Sequence, residues 1–329
     1  MLKATNLQKK FINKSRKGLL AKKNISHKIA VEDFSITVSP GEIVGLLGLN
    51  GAGKTTTIKM LSTLLTPTKG EITINGFNPV TDPLKVKSII NMIAGGERML
   101  YYRLTGYQNL EYFGNLYGLK GDELRNRINI LLKKVELNDV KDMVVEKYSK
   151  GMKQRLSIAR GLINDPKYLF LDEPTLGLDV KVAKKLRNYI QELALEEKKG
   201  IILTSHYISE IEELCDRVYI MEKGKILLED TIENIIYNYA DGIKIEIIIN
   251  NLSSTLHSKL ERLAQKYQGS LEITDSEGDL NTKKLLFVSK VDISADIIQS
   301  IFDSGEKIKT INVERPNLEE VISNLEGVK

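Results

Sequence analysis

The sequence has no tryptophan, one cysteine (Cys215), three histidines and seven prolines in 329 residues. One cysteine cannot close an internal disulfide, so stability must come from packed cores, as suits a reducing compartment. Three dispersed histidines and that cysteine make no cluster at metal-ligand spacing, which argues against a His/Cys zinc or iron centre. No apolar run approaches the roughly 18 residues of a membrane-spanning helix. The first residues lack the apolar stretch of a secretory signal, so none is expected. Internal repeats and low-complexity tracts are also missing. What remains is globular material, 42% hydrophobic and 28% charged, in a length that suits two domains.

Acid is missing from one region only. Residues 1–31 carry nine Lys and Arg and no Asp or Glu, whereas the remainder holds 39 basic against 43 acidic residues. The net charge of +5 is therefore local. A nucleic-acid surface needs aromatics interleaved with basic side chains, and the stretch 9–28 has only Phe11. It reads as a basic insertion in a solvated surface loop between strands at 1–6 and 30–38, with contact to anionic lipid headgroups as the next choice. No specific nucleic-acid partner is expected.

Residues 48–55 fit the phosphate-loop pattern G-x-x-x-x-G-K-[ST]: Gly48, Leu49, Asn50, Gly51, Ala52, Gly53, Lys54 and Thr55. The flanks supply the context that the pattern requires. An apolar strand at 42–47 precedes it, and a helix at 56–65, with Ile58, Leu61 and Leu65 on one face, follows. Glycines let successive N–H groups turn inward toward phosphate oxygens, and the new helix adds the positive end of its dipole. Lys54 brings a point charge for the β- and γ-phosphates, Thr55 a hydroxyl for Mg²⁺, and Thr56 adjoins them. The chain is expected to bind a nucleoside triphosphate.

A second half of the site lies downstream. The apolar strand at 168–171 ends in Asp172 and Glu173. An acid in that position lies beside a phosphate loop, so Asp172 is assigned to Mg²⁺ through water, and Glu173 to the water that attacks the γ-phosphate. A guanine-reading N-K-x-D is absent: Asn13-Lys14-Ser15-Arg16 lacks its Asp. Strands and helices alternate through 149–204, which implies a parallel sheet with crossover helices. Residues 105–147 are instead rich in helical spacing, a helical insert that extends over about 97–163. From residue 240 the order changes to βαββαβ, a small ferredoxin-like α+β domain. The domains are therefore placed at 1–239 and 240–329.

Between the two halves lies Tyr148-Ser149-Lys150-Gly151-Met152. Ser149 suits the N-cap of a helix with Met152, Leu156, Ala159 and Ile163 on its buried stripe, a second anion-binding helix end. This segment resembles the signature motif of ABC-type ATPases, usually leucine-serine-glycine-glycine-glutamine. The resemblance covers about residues 1–235 and implies a P-loop α/β core with an N-terminal antiparallel β subdomain. It also implies ATP and Mg²⁺ as cofactors and a head-to-tail dimer, with itself or a homologous subunit. In that dimer, Ser149, Lys150, Gly151 and Met152 of one subunit close over the partner's triphosphate. By the same resemblance Asp179 belongs to a loop reaching across the dimer, His206 contacts the γ-phosphate, and Phe11 stacks on adenine. Phe11 as a core aromatic is the alternative. Gly96 stands where the family carries a glutamine, with Glu97 beside it. Lys150 replaces a glycine.

The tail at 311–325 is similar to that of daunorubicin-resistance-type exporter ATPases. The expectation is an exporter's ATPase, bound to a separate integral membrane permease at the cytoplasmic face of the cell membrane. A soluble ABC ATPase acting on ribosomes or nucleic acid, or a regulatory ATPase without transport, are the alternatives.

Overall fold

The computed structural model describes residues 1–15, 24–94, 100–275 and 282–327. The chain divides into two compact units, Met1–Thr231 and Ile232–Lys329. The first begins with β1 (Leu2–Ser15), β2 (Asn24–Val38) and β3 (Ile43–Leu47), then α1 (Lys54–Leu61), β4 (Lys69–Ile74), α2 (Pro83–Ile89) and β5 (Ile90–Ala94). Three helices follow: α3 (Gly106–Leu116), α4 (Gly121–Lys134) and α5 (Lys150–Gly161). Then come β6 (Tyr168–Asp172), α6 (Val180–Leu195), β7 (Gly200–Thr204), α7 (Ile208–Leu214), β8 (Arg217–Glu222) and β9 (Lys225–Thr231).

Two sheets share one core in this unit. Strands β5-β6-β7-β3-β8-β9 form the larger sheet, parallel except where β9 runs antiparallel to β8. The antiparallel sheet is ordered β2-β1-β4. Leu2, Phe34 and Ile36 from the small sheet pack with Ile58 and Leu61 of α1 and with Leu46, Phe170 and Tyr219 of the large one. Each such buried side chain contributes about 1.5–3 kcal/mol through removal of apolar surface from water. The strands β3, β6 and β7 are apolar almost throughout because the sheet is covered on both faces, on one of them by α1 and the small sheet. The expected α/β core, antiparallel subdomain and helical insert are all present.

Some local expectations are corrected. The basic stretch is not simply a loop. β1 runs on to Ser15 and β2 starts at Asn24, paired from Lys10↔Ile29 to Ser15↔Asn24. Residues 16–23 lie outside those described. The lysines obscured a hairpin that the backbone ladder and β-branched Ile12 and Ile29 support. Helix α1 starts at Lys54 and stops at Leu61, short of Leu65, because Thr63 takes φ +64° and the chain turns there. Leu65 still packs against the core from outside the helix. Helix α5 likewise ends at Gly161, so Ile163 is buried beyond its last turn.

The second unit comprises α8 (Ile232–Tyr239), β10 (Ile243–Ile249), α9 (Ser254–Lys266), β11 (Ser270–Asp275), β12 (Lys283–Ser289), α10 (Ser294–Asp303), β13 (Ile308–Glu314) and α11 (Leu318–Gly327). Its antiparallel sheet is ordered β11-β12-β10-β13, which places each βαβ crossover around a third strand, as the ferredoxin-like pattern does. Alternate residues Ile245, Ile247, Leu285 and Phe287 face Leu256, Leu260, Ile297 and Ile301 of α9 and α10. Helix α8 packs on α11, so this unit begins at Ile232, eight residues before the break placed from sequence.

Candidate nucleotide site

The parallel register gathers three strand ends. Thr204, last residue of β7, lies opposite Leu46 of β3 on one side and Asp172 of β6 on the other. The phosphate loop leaving β3 is therefore brought beside the acids leaving β6, although about 120 residues separate them in sequence.

The loop's shape depends on glycine. Gly48 has φ +145°, and a Cβ there would collide with the Met221 carbonyl. Gly53 has φ +108°, with the Ala30 carbonyl of β2 only 2.6 Å from where a Cβ would sit. Both positions lie in backbone regions open mainly to glycine. Gly53 is the N-cap of α1 and makes no side-chain cap, so the first N–H groups of the helix stay available to an anion. Lys54 is only 7% exposed, and its Nζ donates to the Gly48 carbonyl at 2.5 Å and lies 3.4 Å from that of Leu49. Burial pushes its pKa down, and the nearby carboxylates of Glu173 and Asp172 pull it back up. Thr55 is exposed at the start of the helix and Thr56 half-buried.

The acids are held by the neighbouring strand. The Thr204 hydroxyl donates to Asp172 Oδ1 at 2.6 Å. The Glu173 N–H donates to the Thr204 carbonyl at 3.0 Å and lies 3.2 Å from its hydroxyl. These bonds hold Glu173 at φ +54°, a left-handed conformation that costs a side-chain-bearing residue on the order of 1 kcal/mol. That twist turns its carboxylate toward His206, whose Nε2 lies 2.7 Å from Glu173 Oε1. Thr204 was not singled out from the sequence. Its only signal was a polar residue ending an otherwise apolar strand just before His206.

A second group surrounds the start of α5. Ser149 is its N-cap, and Oγ accepts from the Met152 N–H at 3.2 Å. Lys150 lies over Gly177, where any Cβ would collide with its ammonium. Asp179 caps α6, with Oδ1 accepting from the Val182 N–H at 3.0 Å, so it has a structural task in its own subunit. Ser149, Lys150, Gly151, Met152, Gly177 and Asp179 help line a recess of about 250 Å³. The loop 173–179 runs from the acids to this recess, turned by bonds from Leu176 N–H to Glu173 O and from Leu178 N–H to Thr175 O.

Phe11 stands apart from both groups. It is 38% exposed on β1, opposite Lys28, with Lys9 Nζ 5.6 Å from its ring centroid. That exposure excludes the core-aromatic alternative. Lys28 is two residues from Ala30, which abuts Gly53. Gly96 and Glu97 lie outside the described residues. Among the described residues no group of three or more His, Cys, Asp or Glu is placed to hold a metal by itself, and no helix is long and apolar enough to cross a membrane.

Comparison with known proteins bears on this arrangement. A family model described as "ABC transporter" matches residues 31–176. The ABC transporter ATP-binding protein NatA of Bacillus subtilis is 44% identical over 206 residues, 63% of this chain and 83% of that protein. The daunorubicin resistance ATP-binding protein DrrA2 of Streptomyces coeruleorubidus is 32% identical over 305 residues, 93% of this chain and 92% of its own length. The linearmycin resistance ATP-binding protein LnrL of Bacillus subtilis is 31% identical, with coverage of 93% and 96%. Among solved structures, the dimeric post-hydrolysis ATP-binding cassette MJ0796 bound to ADP and Pi superposes with a TM-score of 0.60. It is 25% identical and covers 70% of this chain and 98% of that one.

Proposed function

The chain belongs to the ATP-binding subunits of ABC transporters, and from that premise we propose that it is the ATPase of an exporter with a separate membrane-spanning subunit. The observation that carries the direction is coverage. Similarity to ATP-binding proteins named for daunorubicin and linearmycin resistance runs through both units, not through the nucleotide-binding unit alone. Two copies of this chain, or one copy with a homologous subunit, pair head to tail. The recess at Ser149–Met152 of one then faces the phosphate loop of the other, so a triphosphate bound at 48–56 is enclosed. The loop through Asp179 lies at this junction, and Phe11 offers a face to the adenine.

The residues present fit Mg²⁺. The exposed Thr55 hydroxyl and the Asp172 carboxylate, steadied by Thr204, would hold it, and when bound it neutralises charge on the β- and γ-phosphate oxygens. The chain's own groups do the rest. Lys54 turns from the Gly48 carbonyl to the phosphates. Glu173 takes a proton from the attacking water onto its carboxylate. His206 Nε2 holds that carboxylate in place. Closure of the pair excludes water, and reopening after phosphate release moves the membrane subunit.

Two experiments follow. Tagged chain expressed at native level and recovered in mild detergent should bring down a polytopic membrane protein in fixed stoichiometry. Nuclease-sensitive association with RNA or ribosomes, without a membrane protein, would overturn the exporter reading. Within the site, Thr204→Val keeps the strand's shape but removes one hydroxyl. It should lower kcat by about 10- to 100-fold through misplacement of Asp172 and Glu173, with the KM for ATP little changed. Steady-state hydrolysis checks it, and an unchanged kcat would remove Thr204 from the site.

A further inference from the structure

A buried acid on α7 is used by none of these steps. Glu210 is 3% exposed, although it sits in the first turn of a short helix that begins at the surface. Its Oε2 accepts from the Ser205 hydroxyl at 2.5 Å and from the Thr175 hydroxyl at 3.0 Å. Both hydroxyl-bearing residues are themselves buried, at 4% and 5% exposure. Oε1 has no hydrogen-bond partner among the described residues. Burial pushes the Glu210 carboxyl up, and the two hydroxyl donors pull it back. A leucine in this place would cost the helix nothing in desolvation, whereas a buried carboxyl is costly unless it is bonded.

The positions of its two partners suggest what it does. Thr175 lies two residues after Glu173, and Ser205 immediately precedes His206. Ser205 Oγ also accepts from the Tyr207 N–H at 3.0 Å, so the turn around His206 is fixed from both sides. The covalent path Glu173-Pro174-Thr175, the bonds through Glu210, the step Ser205-His206 and the 2.7 Å approach of His206 to Glu173 close a ring. We infer that Glu210 is a positioning residue: one carboxylate oxygen ties the loop of the base to the loop of the histidine.

The need is physical. Glu173, half-buried, and His206, exposed, leave the ends of different strands into loops, and Glu173 holds a left-handed backbone that persists only where its surroundings over-determine it. The Glu173 N–H bonds to Thr204 fix the base from one side, and Glu210 fixes the same loop from the other.

The inference rests on the assignment of Glu173 and His206 above, and its test separates the two. Steady-state ATP hydrolysis by the full chain is compared for wild type, Glu210→Ala, Glu210→Gln, Thr175→Val, Ser205→Ala, Thr175→Val/Glu210→Ala and Glu173→Gln. Glu210→Ala should lose on the order of 10- to 100-fold in kcat, with the KM for ATP within about threefold of wild type. The amide oxygen of Glu210→Gln can still accept both hydroxyls, so that variant should recover most of the loss. Thr175→Val and Ser205→Ala should each lower kcat, and the double variant should be no slower than Glu210→Ala, because one connection is cut twice.

If Glu210→Ala does not fold, the two hydroxyl variants decide alone: wild-type kcat in both overturns the proposal. It is equally overturned if Glu210→Ala and Glu210→Gln lose activity only in proportion to the fraction folded. Full turnover by Glu173→Gln would instead remove the site reading on which the inference stands.

Discussion

Glu173→Gln is expected to bind ATP as the parent does and to hydrolyse it about 10²- to 10⁴-fold more slowly, the contribution of a positioned general base. Glutamine keeps the length of the side chain, and its backbone N–H can still donate to Thr204. What it loses is the proton acceptor 2.7 Å from His206 Nε2. The nucleotide grip at 48–56 is untouched, so binding survives while turnover stops. A species that closes on ATP and cannot cleave it must accumulate, and the paired form should dominate on size exclusion with ATP and Mg²⁺. Removing an anion from beside the triphosphate favours the same outcome, since like charges no longer repel. Wild-type turnover in this variant would show that the base lies elsewhere.

Lys54→Ala should fail one step earlier. The lysine is buried with its ammonium folded onto the Gly48 carbonyl, so the loop already points this cation inward. Burial lowers its pKa, but Glu173 and Asp172 work against that and favour the cation. A charged hydrogen bond is worth about 1.5–3 kcal/mol. Loss of one or two to the β- and γ-phosphates corresponds to roughly 10- to 10⁴-fold weaker binding. Calorimetric titration with ATP reads this directly, and undiminished affinity would sink the phosphate-loop assignment. The two variants thus split the site: one loses the grip, the other keeps the grip and loses the chemistry. A hydroxyl clamp such as Thr204 belongs with the second group, because it touches the acids and not the loop.

Much of this was legible because its signals are local. The loop at 48–55 announces itself through glycines whose positions demand unusual φ values, and the apolar run before Asp172 through continuous hydrophobicity. The βαββαβ order of the second unit was legible too, and the structure shows it as β10 to β13 with α9 and α10 between them. Ser149, a capping residue three positions before Met152, was readable as a helix start.

Other features were hidden because they depend on what lies opposite. Lysines masked the hairpin from Lys10 to Ser15, whose strands are held by cross-strand backbone bonds that tolerate solvated charge. The end of α1 at Leu61 was set by a left-handed Thr63 that no residue preference announces.

By itself, then, the sequence determined the phosphate loop, the acids that end β6, the helix start at Ser149 and the βαββαβ order of the second unit, since each of these is written in periodicity or in residue type. Only the tertiary structure decided that Thr204 clamps Asp172 and Glu173 and that Glu210 is buried between Thr175 and Ser205. The physical reason is register. A parallel sheet brings together residues that are about 30 to 160 positions apart, and which of them meet is set by the pairing of β3, β6 and β7, a property of no single segment.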